Sequence, residues 1–241
     1  MSATARKTIV VIGAGPGLGL SVAHRFGREG YAVALVSRSG DRHPGYVASL
    51  AEAGIEAAGF AVDVHDRDRL LGALDEITER FGTIDVVYYG PGAADPSVWP
   101  EPITDTTPAQ AREAMELLYP AVDVVAKVLP GMLARGEGGL LFAGGLSAVM
   151  PMPTLGGLAL AAAALRNYGL TLNAALAEQG VYAGNLIIGG LIERGDIYQV
   201  VASQPELFGG EIRSLDPDVI ADGGWELFTK RDRPETTFSA F

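Results

Sequence analysis

A glycine-rich run near the amino terminus has the residue types and spacing that bind a pyrophosphate. Residues 13–19 read Gly-Ala-Gly-Pro-Gly-Leu-Gly and directly follow an apolar run of strand length, Thr8 to Ile12. Glycines at such a turn let backbone amides approach the phosphates, whose charge is stabilised by the N-terminus of the following helix. The strand before the loop and the helix after it favour dinucleotide binding over a plain glycine-rich turn. The predicted contacts are Gly13, Gly15, Gly17, Leu18 and Gly19.

The end of the second apolar run carries residues that choose between two dinucleotides. An acidic residue there would accept hydrogen bonds from the ribose hydroxyls of NAD, whereas the guanidinium of Ser37-Arg38 matches the 2′-phosphate of NADP. The pattern therefore favours NADP(H) over NAD(H) and assigns Ser37 and Arg38 to the cofactor site. Two alternatives stay open. Arg38 can be a solvent-facing arginine, and the nearby Asp41 can restore a preference for NAD through a displaced loop.

Hydrolytic and metal chemistry have less support in the residue pattern. The segment from Gly145 to Val149 approaches the nucleophile elbow of a hydrolase, but Val149 stands where that motif needs glycine. All three histidines precede Ser147, whereas the hydrolase order places the histidine after the serine. The chain has no cysteine, which excludes disulfides and thiolate sites, and the scattered histidines predict no metal centre. The histidines are His24, His43 and His65.

Apolar runs of strand length alternate with helix-length segments along the chain, and these elements must position the candidate residues. The predicted strands are Thr8–Ile12, Ala32–Val36, Ala57–Val62, Ile84–Tyr89, Gly139–Ala143 and Gly184–Ile188. The predicted helices are Gly17–Glu29, Pro44–Ala53, Asp66–Arg80, Pro108–Ala134, Thr154–Glu178 and Pro217–Thr229. Strict alternation predicts an α/β fold with a parallel, doubly wound sheet of the Rossmann type, in three αβα layers and one domain covering residues 1–241.

Composition limits the partners and the compartment. A net charge of -11, with 18 Lys and Arg and no basic run, argues against nucleic acid and anionic membrane surfaces as partners. The uncharged stretch from Gly138 to Leu165 is long enough for a transmembrane helix, but Pro151 and Pro153 interrupt it. We therefore predict a strand, a loop and a buried helix there. The first apolar run is too short for a signal peptide, and a cytoplasmic location is expected.

The spacing GxxxGxG, taken from Gly13, Gly17 and Gly19, resembles that of the short-chain dehydrogenase/reductase family. The resemblance extends over nearly the whole chain. Its further motifs include an Asp-Val pair after the third strand, a Tyr-Tyr-Gly-Pro run where the family usually has Asn-Asn-Ala-Gly, and a Gly-Gly where Pro-Gly usually follows the sixth strand. These motifs are Asp63-Val64, Tyr88 to Pro91 and Gly189-Gly190. The residues that the resemblance adds to the cofactor site are Asp63, Val64, Gly90 and Gly190.

The positions at which this family carries its catalytic groups hold glycine or apolar residues here. Members of the family reduce carbonyls with a tyrosine that donates the proton, a lysine four residues later, a serine that orients the substrate and an asparagine in a proton relay. The resemblance puts these roles at Leu158, Ala162, Gly145 and Leu117, respectively. No tyrosine in the chain is followed by lysine four residues later, and shifting the frame to Ser147 does not supply one. The resemblance therefore implies an atypical active site.

Three tyrosines are candidate replacements for the missing proton donor. Tyr88 and Tyr89 end the fourth strand beside the expected nicotinamide, and Tyr119 lies two residues beyond the asparagine position. A phenol has a pKa near 10 and is a poor acid at neutral pH without a lysine beside it. Packing or substrate contact is therefore favoured for each of them.

Two further polar residues can contact a ligand. Ser147 follows the fifth strand at the edge of the sheet where open α/β folds bind ligands, so it can hydrogen-bond a substrate. Arg194 stands where the family often has a threonine that touches the nicotinamide amide. It either contacts a cofactor phosphate or a substrate carboxylate, or pairs with Glu193 or Asp196 in its own loop.

The predicted reaction pocket is apolar. Leu158 and Ala162 lie four apart on one helix, Leu117 comes from another, and Tyr88 ends a neighbouring strand, so together they should line one wall near the nicotinamide. This wall implies a small apolar substrate. The first hypothesis is an NADP(H)-dependent oxidoreductase that uses a non-standard proton donor or water. The alternatives are a non-catalytic binding or scaffolding subunit and a non-redox enzyme on the same fold.

The two longest predicted helices carry a prediction about assembly. In the family that this chain resembles, the helices corresponding to Pro108–Ala134 and Thr154–Glu178 form a subunit interface. Ala159 and the run from Ala161 to Ala164 give a smooth helix face, which suits close helix approach and equally suits packing on the sheet. A homodimer or homotetramer is expected, because closed symmetric assemblies are the commonest kind.

Overall fold

Parallel strands form the centre of the fold. The computed structural model describes residues 6–92, 100–204, 206 and 212–241. Its main strands are β1 Thr8–Ile12, β2 Ala32–Ser37, β3 Ala57–Ala61, β4 Val86–Tyr89, β5 Gly138–Gly145, β6 Val181–Gly189 and β9 Glu235–Ser239. They form one sheet in the order β3-β2-β1-β4-β5-β6-β9, with every pairing parallel. The prediction of a doubly wound parallel sheet is confirmed.

Helices cover both faces of this sheet. In chain order they are α1 Leu18–Arg28, α2 His43–Glu52, α3 Arg67–Phe81, α4 Pro108–Met115, α5 Tyr119–Arg135, α6 Gly156–Leu176, α7 Asp196–Ser203 and α8 Pro217–Lys230. One buried apolar cluster lies between the sheet and α1, α2 and α8. A second lies between the sheet and α3, α5 and α6. Because both faces are covered, β1 is buried along its whole length.

Local capping chemistry explains where several helices begin. The Asp66 carboxylate accepts a hydrogen bond from a backbone amide in the first turn of α3, and Asp216 does the same for α8. Thr107 and Gln110 form a reciprocal capping box at the start of α4. These side chains satisfy amides that a helix start leaves unpaired, so the predicted starts of α3, α4 and α8 lie within one residue of the observed ones.

The predicted helix Pro108–Ala134 is two helices. α4 ends at Met115 and α5 begins at Tyr119, with a turn at residues 116–118 between them. Pro120 lies in the first turn of α5. In a continuous helix its ring would clash with the carbonyl of Glu116, and proline has no N–H to donate, so the helix breaks before it. The break places Leu117 in the turn.

Several elements near the carboxyl end were not predicted. β9 pairs with β6 and adds a strand at that edge of the sheet. Two residue pairs, β7 Leu191–Ile192 and β8 Ser214–Leu215, form a small separate ladder, and α7 follows β7. These elements are short, so they show too few turns or alternations for a periodic pattern to reveal them.

One helical stretch is long and apolar enough, by length and composition, to cross a membrane, and it covers residues 108–135. Within it, α5 buries Ala121, Val124 and Met132 against the sheet, as the core helix of a globular fold does. The uncharged stretch at residues 138–165 forms β5, a loop with two short 3₁₀ turns and the start of α6, as its prolines predicted.

Candidate functional site

The glycine-rich loop connects β1 to α1 and packs on the ends of β2 and β4. Gly13 has a left-handed φ of 96°, and a Cβ there would lie 2.3 Å from the carbonyl oxygen of Gly90. A Cβ on Gly19 would lie 2.4 Å from the carbonyl oxygen of Gly13. The amides of Gly13 and Ala14 both donate to the carbonyl of Val36, at 3.0 Å. A side chain at position 13 or 19 would clash with these carbonyl oxygens, so the loop conformation depends on the predicted glycines.

The N-terminus of α1 has free space beside it on the Gly15 side of this loop. Gly17 precedes the helix, whose first turn holds no acidic residue and no side-chain cap in the described part of the chain. Apart from Gly15 and its two chain neighbours, no described atom lies within 4 Å of the position that a Cβ on Gly15 would take. The first amides of the helix therefore carry the positive end of its dipole without a side-chain partner. A pyrophosphate fits this arrangement.

The ends of β2 and β3 bring four other predicted cofactor residues to the same edge of the sheet. Ser37 is the last residue of β2 and is half-buried, and Arg38 follows it on the surface. Asp63 and Val64 follow β3, which pairs with β2. The Asp63 carboxylate accepts a hydrogen bond from the amide of His65 at 3.0 Å, and Val64 is buried. These residues lie at the carboxyl ends of adjacent strands, where open α/β sheets bind ligands.

His43 is a residue of this site that sequence reasoning missed, because it counted only as one of three scattered histidines. It is 7% exposed, and its Nε2 atom lies 2.7 Å from the hydroxyl oxygen of Ser37. Burial lowers the pKa of the His43 ring. The ring packs on Gly59 of β3, where a Cβ would lie 2.4 Å from it. The signal available in the sequence was Gly59, a glycine inside a predicted strand, together with His43, which directly precedes a predicted helix.

The segment after β6 crosses the sheet edge toward the glycine-rich loop. Gly190 follows β6, and a Cβ on Gly17 would lie 3.2 Å from Cα of Gly195. Asp196 begins α7, and its two carboxylate oxygens lie 2.9 and 2.8 Å from Nη1 of Arg42. Since Arg42 follows β2, whereas β6 lies beyond β4 and β5, this segment spans the point between β1 and β4 where the strand order reverses.

Arg194 has partners other than those that the sequence suggested. It adopts a left-handed φ of 66°, which is uncommon for a residue other than glycine. Its guanidinium donates to the Ser21 hydroxyl at 3.2 Å and lies 2.9 Å from a carboxylate oxygen of Asp218. The Arg194 guanidinium lowers the pKa of the Asp218 carboxyl. The suggested pairing with Glu193 or Asp196 is therefore wrong, and Arg194 packs against α1 and α8.

The four positions to which the resemblance assigns the family's catalytic groups lie on neighbouring elements. Gly145 ends β5, Leu158 and Ala162 lie one turn apart near the start of α6, and Leu117 lies in the turn before α5. α4 packs against α6, which brings this turn to the same side of the sheet as α6. Leu158 is 38% exposed, and Ala162 and Leu117 are half-buried. The structure therefore presents apolar groups at these positions.

Ser147 is a candidate replacement that lies beside Gly145. It belongs to a short 3₁₀ turn, residues 146–148, directly after β5, and it is half-buried. Its Oγ atom lies 3.4 Å from the position that a Cβ on Gly145 would take. The hydroxyl of Ser147 thus lies near the space in which a serine at position 145 would hold its own side chain.

The tyrosines lie on different sides of the sheet. Tyr88 is 1% exposed and packs in the cluster with α1 and α8, instead of sharing a wall with Leu117 as the sequence predicted. Successive strand residues point to opposite faces, and Tyr89 reaches the α5 side, where its hydroxyl donates to the carbonyl of Leu117 at 2.8 Å. Burial raises the pKa of both phenols, which makes them weaker acids. Tyr119, at the start of α5, is 51% exposed.

The sequence of this chain is similar to those of known proteins. Residues 7–200 match the model of the short chain dehydrogenase family. A 3beta-hydroxysteroid dehydrogenase from Mediterraneibacter gnavus is 33% identical over 99 residues, which are 41% of this chain and 36% of that protein. The match therefore spans little more than a third of that relative's length.

Solved structures share the fold over nearly the whole chain. L-sorbose reductase from Gluconobacter frateurii, complexed with NADPH and L-sorbose, superposes with a TM-score of 0.84 at 20% identity, covering 98% of this chain and 96% of that one. A metagenomic short-chain oxidoreductase in complex with NADP gives a TM-score of 0.78 at 20% identity, covering 99% of both chains. Together with the family match over residues 7–200, the strand order and the glycine-rich loop show that this chain belongs to the short-chain dehydrogenase family.

Proposed function

We propose that this chain is an oxidoreductase that binds NADP(H) at the glycine-rich edge of the sheet and acts on a small substrate with non-standard catalytic groups. The observation that carries the proposal is the open N-terminus of α1 beside Gly15, next to a loop that requires glycine. The relatives solved with NADP and NADPH share this fold, which supports the same cofactor class here. Gly90, packed on Gly13, and Gly190, after β6, complete the cofactor site in this proposal.

Arg38 supports NADP(H) over NAD(H). It follows the last residue of β2, where a guanidinium can form charge-assisted hydrogen bonds to a 2′-phosphate. Ser37 stands directly before it and carries no negative charge that would repel the phosphate. Asp63 and Val64, at the end of the adjacent strand, would contact the adenine ring.

The side chains around the proposed reaction site should support only slow turnover. A bound nicotinamide supplies or accepts the hydride. Ser147, beside Gly145, can donate a hydrogen bond that orients a carbonyl oxygen of the substrate. Leu158 and Ala162 hold no proton, and the Tyr89 hydroxyl is already donated to a backbone carbonyl. The proton therefore comes from a non-standard donor or from water, and the absence of the family's general acid costs about 10²- to 10⁴-fold in rate.

The absence of the family's general acid also favours a second candidate function. A protein that holds glycine or an apolar residue at all four family positions can keep its cofactor site and serve as a binding or scaffolding subunit. A non-redox enzyme with an apolar pocket is the related alternative. Detectable hydride transfer separates the oxidoreductase from both, because a subunit or a non-redox enzyme binds the nucleotide without changing its oxidation state.

Exposed apolar side chains on two helices support assembly as a homodimer or homotetramer. Tyr119, Val122 and Leu133 are exposed on α5, and Leu160 is exposed on α6. These helices are the ones that form subunit interfaces in the family. Light scattering at micromolar concentration should give at least twice the mass of the chain, and a monomer would contradict this part of the proposal.

Nucleotide titrations and a turnover assay test the proposed function. NADPH and NADH are titrated separately against the unmutated protein, and bound nicotinamide is followed by its fluorescence. We expect NADPH to bind more tightly than NADH. NADPH oxidation is then measured with a panel of aldehydes and ketones, and weak turnover is expected. Failure of both nucleotides to bind would overturn the proposal, and brisk reduction of a simple ketone would overturn its catalytic part.

A further inference from the structure

Two hydrogen bonds determine the direction of the Ser37 hydroxyl. Its Oγ atom lies 2.9 Å from the carbonyl oxygen of Ser39 and 2.7 Å from Nε2 of His43. A carbonyl oxygen can only accept, so the one hydroxyl proton of Ser37 is donated to Ser39. The short contact with His43 then needs a proton from the ring. Nε2 of His43 therefore carries hydrogen and donates to Ser37.

The packing around His43 holds the ring in this place. His43 is the first residue of α2, and its amide donates to the carbonyl of Gly40 at 3.0 Å. A Cβ on Gly59 would lie 2.4 Å from both Cγ and Nδ1 of the imidazole, so a larger residue there would displace the ring. Glycine weakens a strand interior, yet here it leaves the space that the imidazole fills. The lowered pKa of the buried ring agrees with a neutral imidazole at pH 7.

We propose that His43 is a positioning residue that makes Ser37 a hydrogen-bond acceptor toward the adenosine ribose of the cofactor. The inference rests on the proposed cofactor site at Ser37 and Arg38. With its proton donated to Ser39, the Ser37 oxygen offers a lone pair and no proton to a ligand. The ribose 2′-hydroxyl of NAD(H) can donate to that lone pair, whereas the 2′-phosphate of NADP(H) presents acceptor oxygens.

The direction of this hydrogen bond therefore opposes the charge preference of Arg38. Arg38 stabilises the 2′-phosphate, while the Ser37 lone pair stabilises the ribose hydroxyl of the other cofactor. Without the donor on His43, one of the two hydrogen bonds that hold the Ser37 hydroxyl is lost, so its lone pair is no longer fixed toward the ribose hydroxyl of NAD(H). His43 thus reduces the difference in affinity between NADP(H) and NAD(H), so NAD(H) can still bind.

Matched substitutions at position 43 test this role. His43→Phe keeps a flat ring on Gly59 and removes the donor, whereas His43→Gln keeps an N–H donor. We expect the ratio of the NADH Kd to the NADPH Kd to rise about threefold to tenfold in His43→Phe, the effect of one neutral hydrogen bond. His43→Gln should keep the ratio of the unmutated protein within about twofold. In a Ser37→Ala background, His43→Phe should change nothing further, because the group that His43 orients is gone.

A measurement on the unmutated protein tests the hydrogen-bond direction without any substitution. The ¹⁵N shifts of the His43 ring at neutral pH should show hydrogen on Nε2, and a ring protonated on Nδ1 alone would overturn the proposal. A ratio of dissociation constants that stays constant in His43→Phe would overturn the role of His43 alone. Failure of the unmutated protein to bind either nucleotide would instead overturn the proposed function, and this inference with it.

Discussion

Replacing Gly15 with alanine should separate cofactor binding from folding. Beyond the adjacent residues of the chain, no described atom lies within 4 Å of the Cβ that the substitution adds, and Gly15 is not in the left-handed region where alanine is strained. The folded state therefore tolerates the methyl group. Because alanine also restricts the unfolded chain, the Gly15→Ala protein is expected to be about 0.4–1 kcal/mol more stable than the unmutated protein. The same methyl group occupies the space that a pyrophosphate would approach, so we expect the NADPH Kd to rise at least about tenfold, or about 1.4 kcal/mol.

Gly13→Ala is the matched control in the same loop. Its methyl group would lie 2.3 Å from the carbonyl oxygen of Gly90, and its φ of 96° is unfavourable for alanine. The backbone conformation alone costs about 1–2 kcal/mol, and the displaced carbonyl adds to that. Gly13→Ala should therefore lower the free energy of unfolding, whereas Gly15→Ala should not.

Urea unfolding with and without NADPH measures both quantities in one assay. At a free NADPH concentration of 100 times its Kd, the unmutated protein should gain about 2.7 kcal/mol of stability. A tenfold weaker Kd reduces this gain to about 1.4 kcal/mol in Gly15→Ala. An unchanged gain in a normally folded Gly15→Ala protein would refute the placement of the pyrophosphate beside Gly15.

Three further predictions follow from other parts of the site. Arg38→Ala should weaken NADPH binding by about 1.5–3 kcal/mol and leave NADH binding nearly unchanged in parallel titrations; an equal loss for both would contradict the charge argument. Leu158→Tyr with Ala162→Lys should raise NADPH oxidation less than about tenfold, since the serine and relay groups are still missing, and brisk turnover would contradict this. Burial lowers the pKa of His43, so its contribution to stability is present above pH 6.5 and falls below it. The free energy of unfolding should drop more between pH 7 and pH 5 in the unmutated protein than in His43→Gln. The difference between the two drops should be at most about 1.4 kcal/mol per pH unit, and equal drops would exclude a contribution of His43 to the pH dependence.

The frame of the fold was predictable because its signals are local. A parallel strand buried on both faces leaves a continuous apolar run, as in β1, and a cap such as Asp216 marks a helix start within a few residues. The glycine pattern of the cofactor loop is an equally local signal, because the backbone of that turn itself requires glycine. The break before α5 was also readable from Pro120, but the apolar pattern continues across it and predicted one helix.

Contacts between distant residues were not predictable in the same way. Arg194 meets Ser21, 173 positions earlier, and Arg42 meets Asp196, 154 positions later. Acidic residues closer in the chain looked like equally good partners, because a charge pattern does not show which elements approach each other in space. Tyr88 is a different case. Strand residues alternate between faces, so its position one residue before Tyr89 already implied that only one of them could face α5.

The two halves of the candidate site depend on different parts of the chain, and this explains how one can be kept while the other changes. The cofactor half is formed mainly by backbone: the close approach of Gly13 to Gly90 and the start of α1, which has no side-chain cap. The reaction half needs side chains with an acid, a base or a hydroxyl, and among the described residues the Ser147 hydroxyl lies beside Gly145 while the Tyr89 hydroxyl donates to the carbonyl of Leu117. In the proposed function, leucine at position 158 supplies no proton donor and leaves the glycine contacts undisturbed. Nucleotide binding and turnover should therefore be separable in this protein, each lost by substitutions that leave the other measurable.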